Sequence, residues 1–297
     1  MALDFKAALA ASDSDLPYAY SDTQIMLYAL AIGMGRDPLD TREIDFVYER
    51  RLKIIPTVAT VLAWGARDIR KLGVDYSKVL HGEHKLALHQ PLPTRAEILV
   101  NTRTKAIHDK GKDRGALIVS VLEALEKTTR APLFTQEMTH FARADGGFSD
   151  VDGDSGPAPA PHPLPQRAPD YQCEMPTTPN QALLYRLLGD RNALHADVEA
   201  ARTSGFERPI LHGLCTYGAC CYAVVKTVCD FDPSRIVQFD VRFSAPMFPG
   251  ETLIVDMWRD ADIVSFSAGT KERRVMVINN GRCVLRAPSA NTQRSAP

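Results

Sequence analysis

The sequence predicts an α+β fold in which one architecture occurs twice, a buried helix covered by an antiparallel sheet. Three observations support this prediction. Two halves of similar size repeat matching segments in the same order, each half contains a long apolar helix candidate, and each continues into short segments of alternating apolar residues. Alternation with a period of two is typical of half-buried strands, and a helix that is apolar nearly all round is typical of a buried one.

A linker divides the chain into these halves. Residues 146–170 are rich in proline, glycine and aspartate and show no apolar periodicity, so we expect an extended or mobile segment. The alternative is a long surface loop within one domain, although loops beyond about 12–15 residues are uncommon there. We therefore expect an N-terminal repeat at residues 1–145 and a C-terminal repeat at residues 171–297.

Each half opens with a helix that a capping box introduces. Residues 21–24 (SDTQ) and 178–181 (TPNQ) have the pattern in which two side chains satisfy backbone N–H groups at a helix start. Tyr28 and Tyr185 follow these caps and are 157 residues apart. A second match, between residues 89–102 and 243–257, lies further along both halves, and two matches in the same order argue against chance similarity.

The long apolar segments predict one buried helix in each half. The first begins near Pro56 and runs to residue 72, and the second begins near Pro209 and runs to residue 228. Both open at a proline, which favours a helix start. The second is followed by predicted strands at residues 237–243, 252–258, 263–268, 275–278 and 282–286. Short strands in this succession indicate an antiparallel sheet.

Charge and composition exclude several functional classes. Lysine plus arginine number 35 against 36 acidic residues, so no excess positive charge attracts nucleic acid or an anionic membrane surface. No apolar run reaches the roughly 18 residues of a membrane span. The N-terminus has no secretory h-region and residues 294–297 are not a peroxisomal tail, so we expect a cytoplasmic protein. The six cysteines fit no paired zinc pattern and indicate reduced thiols packed as small apolar residues.

The halves differ at one turn, where the second half alone carries groups that can exchange protons. Its motif is Gly189-Asp190-x-Asn192-x-x-His195. The aligned positions of the first half are Gly33, Gly35 and Pro38. A carboxylate and an imidazole five residues apart across a turn can converge on one small volume and activate water. The alternatives are a turn or helix-cap role for Asp190 and a half-exposed helix start for His195.

A second candidate element stands at the start of the second long helix. Gly213 would let a substrate approach backbone N–H groups there, and a helix N-terminus favours developing negative charge. This is what an oxyanion site requires. Close helix packing is the alternative explanation for Gly213, and a satisfied core histidine is the alternative for His212.

Three blocks of sequence closely resemble one family, the MaoC-like, R-specific 2-enoyl-CoA hydratases or hydratase 2. They are residues 185–195 (YRLLGDRNALH), 208–218 (RPILHGLCTYG) and 243–253 (FSAPMFPGETL). The family usually has proline where this chain has Ala193, a change that should not affect the chemistry. In the first half, residues 28–33, 45–49 and 52–56 resemble the degenerate N-terminal repeat of long, two-repeat members, so that the resemblance covers about residues 15–290.

The resemblance implies a double hot-dog fold and hydration of a trans-2-enoyl-CoA to the (3R)-3-hydroxyacyl-CoA. Asp190 and His195 match the catalytic pair of the family, which activates one water. Asn192 and the backbone N–H of Gly213 match groups that position the substrate and hold the thioester oxygen. Supporting positions of the family match Tyr185, His212, Tyr28 and Glu49.

The resemblance also implies an acyl-CoA substrate, a homodimer, no metal and no organic cofactor, and a degenerate first repeat that makes room for a bulky acyl chain. Two alternatives stay open. One is another hot-dog thioester enzyme, a thioesterase or an acyl-carrier-protein dehydratase. The other is a non-catalytic acyl-CoA-binding subunit, against which the intact motif around Asp190 argues.

Overall fold

Ten antiparallel strands form one continuous sheet in the computed structural model, which describes residues 3–286 without the side chains of residues 151 and 152. The strands are β1 (Ser12–Tyr20), β2 (Val79–Leu88), β3 (Ala96–Asp109), β4 (Ala116–Glu126), β5 (Pro132–Ala142), β6 (Tyr171–Pro176), β7 (Ile236–Phe243), β8 (Thr252–Asp260), β9 (Ile263–Thr270) and β10 (Met276–Leu285). Residues 294–297, on which the expectation about a peroxisomal tail depends, lie outside the described range.

The α-helices are α1 (Phe5–Ala10), α2 (Asp22–Ala31), α3 (Thr41–Ile44), α4 (Ala59–Leu62), α5 (Ser149–Asp152), α6 (Gln181–Tyr185), α7 (Val198–Thr203) and α8 (Gly213–Thr227). Short 3-10 helices cover Glu49–Arg51, Pro56–Val58, Ile69–Leu72, Tyr76–Lys78, Arg186–Leu188, Ala193–His195 and Pro233–Arg235. No helix in residues 3–286 combines the length and the hydropathy that crossing a membrane requires.

The order of the strands reveals the internal repeat. The sheet runs β1-β3-β4-β5-β2-β7-β10-β9-β8-β6, so the five strands of the second half follow the order of the first half in reverse. The halves join where β2 pairs with β7, with Leu86 opposite Phe239. The α+β class predicted from the duplication is therefore confirmed. The sheet continues across both halves, and the boundaries at residues 145 and 171 stay predictions.

Helix α8 is the central helix of the second half. Twelve of its fifteen residues are buried, including Cys215, Cys220 and Cys221. All six cysteines of the chain are free, and burial raises the pKa of the Cys215 thiol to about 12, as expected for thiols packed as apolar residues. At Gly218 a Cβ atom would lie 2.5 Å from the Tyr28 hydroxyl oxygen, so glycine is required for α2 to pack this closely.

The first half does not contain the predicted long helix. The segment after Pro56 forms a 3-10 turn and then the single α-helical turn of α4, which ends at Ala63 (φ −127°, ψ 45°). Gly65 then adopts a left-handed φ of 85°, and Asp68 caps a new 3-10 helix. The expectation of a helix to residue 72 was wrong because the apolar run indicated burial, whereas the glycine and the capping aspartate end the helix locally.

One predicted pair of strands is a single strand. The segments expected at residues 275–278 and 282–286 both belong to β10, and they are separated by a bulge between Asn279 and Arg282. Asn280 has a left-handed φ of 52°, and a Cβ atom on Gly281 would lie 2.5 Å from the Phe266 ring. The residues between the two predicted segments therefore form a β-bulge within one strand.

After α5, the linker runs along both halves of the sheet without further helix or strand until β6. Its Ser155 backbone N–H donates to the carbonyl of Ile107 in β3 at 2.9 Å. Further on, His162 contacts the hydroxyl of Ser265 in β9 at 2.8 Å, and its carbonyl accepts from Asn280 in β10. The linker is thus held against the sheet in both halves.

Candidate active site

The turn that carries Asp190 depends on a contact between the two halves. Gly189 ends the 3-10 helix Arg186–Leu188 with a φ of 128°, which side-chain-bearing residues rarely adopt. A Cβ atom at this position would lie 2.7 Å from the ring of Trp64, which follows the broken helix of the first half. Glycine is therefore needed both for the backbone conformation and for the close approach of Trp64.

Asp190 and His195 face each other across this turn. Asp190 Oδ2 lies 4.0 Å from His195 Nε2, and Asp190 Oδ1 accepts from the backbone N–H of Asn192 at 3.1 Å. His195 Nδ1 lies 2.9 Å from the carbonyl oxygen of Ile210. Because a carbonyl oxygen only accepts, Nδ1 carries the proton when the ring is neutral, and the Nε2 lone pair points towards Asp190.

His212 lies directly behind His195. The two rings stack with centroids 3.7 Å apart, and the Tyr185 ring lies 4.9 Å from His212. His212 Nε2 donates to the backbone carbonyl of Asp190 at 3.3 Å, which holds the turn against the start of α8. Burial and the neighbouring His195 lower the pKa of His212 to about 3. Burial also lowers the pKa of His195, against the opposing effects of the Ile210 carbonyl and Asp190.

The first turn of α8 presents backbone N–H groups beside this pair. His212 is the N-cap residue, and its carbonyl accepts from Cys215 and Thr216. Gly213 is exposed although both of its chain neighbours are buried, and the described chain supplies no acceptor for its N–H group. A Cβ atom on Gly213 would lie 3.2 Å from the Phe243 ring. An oxygen anion can therefore approach the N-terminus of α8 at Gly213.

Tyr28 and Tyr185 lie together in the core behind the site. Both are fully buried, their ring centroids are 6.1 Å apart, and burial raises the pKa of each hydroxyl well above its ordinary value. Neither hydroxyl has a hydrogen-bond partner among the described residues. These tyrosines therefore pack α2 and α6 against each other and stay neutral at physiological pH.

The other predicted site residues are placed differently. Asn192 is exposed, and its side chain caps the 3-10 helix of His195 by accepting from the Leu194 N–H at 3.1 Å. Glu49 is exposed at the start of a short 3-10 helix, and no hydrogen bond of the described chain joins it to Asp190 or His195, so its role stays a prediction. No pattern in the sequence pointed to the Ile210 carbonyl or to Trp64, because both act through contacts between separate segments.

Two cavities lie at opposite ends of α8. The smaller, of about 210 Å³, is bordered by His195 and Arg208. The larger, of about 410 Å³, is lined by residues that include Leu52, Lys53 and Pro56. The 157-residue offset aligns Pro56 with Gly213, so the larger cavity is the first-half counterpart of the site around His195. The larger cavity has no histidine among its lining residues, whereas the smaller one is bordered by His195.

Asp190, His195 and His212 could also be considered as metal ligands, because one donor atom from each lies within 4.8 Å of the others. The two imidazole rings are stacked with an interplanar angle of 25°. Lone pairs in two nearly parallel planes do not converge on one ion at the roughly 2.0–2.1 Å distance that zinc–histidine bonds require. The arrangement fits a water molecule between Asp190 and His195 better than it fits a metal ion.

Comparisons with known proteins cover both halves of the chain. Residues 161–281 match the MaoC like domain, and residues 18–144 match the MFE-2 hydratase 2 N-terminal domain. The chain is 38% identical over 289 residues to enoyl-CoA hydratase ChsH3 of Mycobacterium tuberculosis, with 93% of this chain and 97% of that protein covered. The chain belongs to the MaoC-like hydratase 2 family.

Solved structures give the same result for the fold. A MaoC-like dehydratase from Phytophthora capsici superposes with a TM-score of 0.83 at 29% identity, covering 96% of this chain and 99% of the other. A conserved hypothetical protein of Mycobacterium tuberculosis, described as having a double hot-dog fold, superposes with a TM-score of 0.58 at 14% identity, covering 93% and 95%. The double hot-dog fold expected for this hydratase 2 family member is confirmed.

Proposed function

We propose that this protein is a hydro-lyase that adds water to trans-2-enoyl-CoA and forms (3R)-3-hydroxyacyl-CoA. The observation that carries the proposal is the separation of 4.0 Å between Asp190 Oδ2 and His195 Nε2, beside the exposed N-terminus of α8 at Gly213. Membership of the hydratase 2 family supports the same reaction. Hydration and dehydration are the two directions of one equilibrium, and the same groups serve both.

The water that reacts would lie between Asp190 and His195. Both groups accept hydrogen bonds when Asp190 is ionised and His195 is neutral, so together they orient the water oxygen towards C3 of the substrate. As the C3–O bond forms, one proton leaves the water to this pair, and the pair delivers a proton to C2. The product gains one water in total, and neither residue is changed. Acid–base catalysis of this kind contributes about 10²–10⁴-fold.

The electrons of the double bond move towards the thioester during this addition. Negative charge develops on the thioester oxygen, and the N–H of Gly213 at the start of α8 would donate to it. One such donor contributes about 3–4 kcal/mol to a transition state. The residues at the site therefore supply a base, a proton and an oxyanion donor, and this mechanism requires no metal or organic cofactor.

The first repeat would bind the acyl group. Its counterparts of the catalytic motif are Gly33, Gly35 and Pro38, none of which can exchange a proton. Its central helix ends at Leu62, so part of the volume that α8 fills in the second half is not filled by a helix in the first. We propose that the acyl chain lies in that volume. The proposal also includes residues 1–145 and 171–297 as the two repeats, and a homodimer.

Hydration is tested most simply with purified protein and crotonyl-CoA. Loss of the conjugated thioester absorbance without release of a free thiol supports hydration, whereas release of free coenzyme A would indicate a thioesterase. No change in either signal would favour a non-catalytic acyl-CoA-binding protein. Parallel assays with the matching acyl-carrier-protein thioester compare coenzyme A and the carrier protein as carriers of the acyl group. A strong preference for the carrier-protein thioester would favour the dehydratase alternative.

The hand of the product is tested by coupling to dehydrogenases of known R or S preference. Asp190 and His195 lie on one turn and can serve only one face of the enoyl group. We expect oxidation of the product by the R-specific enzyme alone. Oxidation by the S-specific enzyme alone would contradict the assignment even if the protein hydrates crotonyl-CoA.

A further inference from the structure

The inner face of the first-half sheet changes from apolar to polar where the helix of that half ends. On β3, Thr102 and Thr104 come after Val100 on the same face. On the antiparallel neighbour β4, Ser120 comes before Leu122 on that face. These residues are buried, and Thr104 pairs with Ser120 across the strands. The polar side chains of this patch are Thr102, Thr104, Ser120, His81, His84 and His140, which we call the inner polar patch.

The inner polar patch separates two apolar clusters of the first half. The larger cluster includes Val100 and Leu122 and continues into the second half. The smaller cluster includes Ile107 and Ile118 and packs under α1. In the second half, α8 covers the sheet, and the side chains beneath it are apolar, among them Val255, Phe266 and Ile278. A polar patch between two apolar clusters therefore distinguishes the first half from the second.

Arg67 extends over this patch. Its Nε donates to the Ser120 hydroxyl at 3.2 Å, and its Nη2 donates to the Thr104 hydroxyl. Burial lowers the pKa of its guanidinium, and Asp13 is the carboxylate whose charge opposes this effect. No ion pair joins Arg67 to a carboxylate among the side chains that the structure describes. A guanidinium has five N–H donors, so Arg67 can still donate to a further oxygen.

Two of the three histidines of the patch, His84 and His140, also retain unused hydrogen-bonding atoms. His84 is 1% exposed, and its Nε2 has no partner among the described residues, nor has His140 Nδ1. Burial lowers the pKa of His84 to about 3 and that of His140 to about 4, so these rings are neutral at physiological pH. Buried polar atoms without partners are costly to a fold, and a polar group of a ligand would satisfy them.

The inner polar patch adjoins the active site. The His81 ring lies 4.9 Å from the Phe243 ring, and Phe243 is the residue against which Gly213 packs. On the other side, Trp64 lies between the end of α4 and Gly189. Phe243 therefore links Gly213 to the His81 side of the patch, and an acyl chain that extended from a thioester at Gly213 along Phe243 would reach the inner polar patch.

We propose that the inner polar patch binds an oxygen atom carried on the distal part of the acyl group, so that the preferred substrates are enoyl-CoA thioesters with a distal carbonyl or carboxylate. This inference rests on the proposed function. Arg67 donates to that oxygen, and the neutral histidines surround it. An aliphatic chain alone would leave the donors of Arg67 and the unpartnered histidine atoms unsatisfied. Charge makes a carboxylate the stronger of the two ligands.

The proposal is tested with three enoyl-CoA thioesters of equal chain length that end in a methyl group, a methyl ketone or a carboxylate. We compare kcat/KM for the wild-type protein, for Arg67→Met and for the control Arg103→Met, an exposed arginine on β3 beside Thr104. A hydrogen bond to a charged donor is worth about 10- to 100-fold. We expect the wild type to prefer an oxygenated substrate by about that factor and Arg67→Met alone to lose the preference, with the methyl-ended substrate little changed.

A second variant keeps the inference testable if Arg67→Met does not fold. His140→Phe keeps a planar ring and removes a side chain whose Nδ1 has no partner, and it should reduce the same preference several-fold. Equal kcat/KM for all three substrates in the wild type, or a uniform loss in both variants, would overturn the inference and indicate that water fills the patch. Hydration of the methyl-ended substrate would still support the proposed function in that case, whereas its absence from the wild type would contradict the function itself.

Discussion

Asp190 Oδ2 and His195 Nε2 lie 4.0 Å apart, too far for a direct hydrogen bond and suitable for one water that contacts both. The Ile210 carbonyl accepts from His195 Nδ1 and so keeps the proton of the neutral ring on that nitrogen. His212 holds the turn in place by donating to the backbone carbonyl of Asp190. A backbone carbonyl thus orients the His195 ring and the backbone N–H of Asn192 orients the Asp190 carboxylate, which leaves His195 Nε2 and Asp190 Oδ2 free.

Gly189→Ala should impair catalysis by moving this turn. The new Cβ would meet Trp64 at 2.7 Å, and the backbone φ of 128° is strained for alanine. We expect kcat to fall by about 10-fold or more, since misplacement of about 1 Å can cost about 10²-fold. Gly153→Ala is the control, because its φ is also left-handed (80°) and nothing lies within 4 Å of the new Cβ. Equal kcat values in the two variants would argue against a role for the Trp64 contact.

The pH dependence of kcat should show an acid limb below pH 6.5. Protonation of His195 Nε2 would remove the lone pair that faces Asp190, and burial lowers the pKa of this imidazole from 6.5. Activity should therefore persist as the pH falls through 6.5 and decline only at more acidic pH. A kcat profile with crotonyl-CoA measures this directly. An acid limb centred above 6.5 would mean that the base is not a buried, neutral His195.

His212 should make the folded state sensitive to acid. Its pKa is about 3 when folded, against 6.5 for an ordinary histidine, so the unfolded chain binds the additional proton between these values. Stability from this group is complete above pH 6.5 and is lost as the pH falls towards 3. The maximum slope is about 1.4 kcal/mol per pH unit.

The variant His212→Phe keeps a ring for stacking on His195 and removes this titration. The free energy of unfolding should therefore depend less steeply on pH in the variant than in the wild type between pH 6 and 4, by up to about 1.4 kcal/mol per pH unit. An unchanged slope would show that His212 is solvated and not buried as a neutral group. Both proteins contain the same carboxylates, so their titration cancels when the pH dependence of the variant is subtracted from that of the wild type.

Gly218→Val should destabilise the contact between the halves. A Cβ atom at Gly218 would lie 2.5 Å from the Tyr28 hydroxyl and 2.6 Å from Ile32. Overpacking in a dense core costs typically about 1–3 kcal/mol. Thermal unfolding measures the loss, and Gly213→Val serves as a comparison because its nearest neighbour is a single ring at 3.2 Å. Unchanged stability of Gly218→Val would mean that α2 can move away from α8 without cost.

The sequence predicted the parts of the structure that depend on local patterns. The offset between Tyr28 and Tyr185 revealed the repeat. The second-half motif pointed to Asp190 and His195 as candidate site residues, because the aligned positions of the first half carry no polar side chains. The break after Leu62 was missed, since an apolar run indicates burial without fixing where a helix ends. The contact of Trp64 with Gly189 joins residues 125 positions apart, and no local pattern in the sequence encodes it.

The inner polar patch illustrates the same limit. Its histidines come from β2 and β5, its threonines from β3 and its serine from β4, and Arg67, which extends over it, comes from the segment after α4. Each residue is unremarkable in its own segment, because isolated polar residues are common in strands. Only the pairing of β3 with β4, of β4 with β5 and of β5 with β2 brings them to one face.

The most direct test of the central claim is a double-mutant cycle on Asp190→Asn and His195→Gln with crotonyl-CoA. If the two residues act on one water, each single variant should fold normally and lose at least about 10²-fold in kcat. The double variant should then lose far less than the product of the two single losses, because groups that act as a unit are not additive. A folded Asp190→Asn protein with near-normal kcat, or fully multiplicative losses in the double variant, would contradict the assignment.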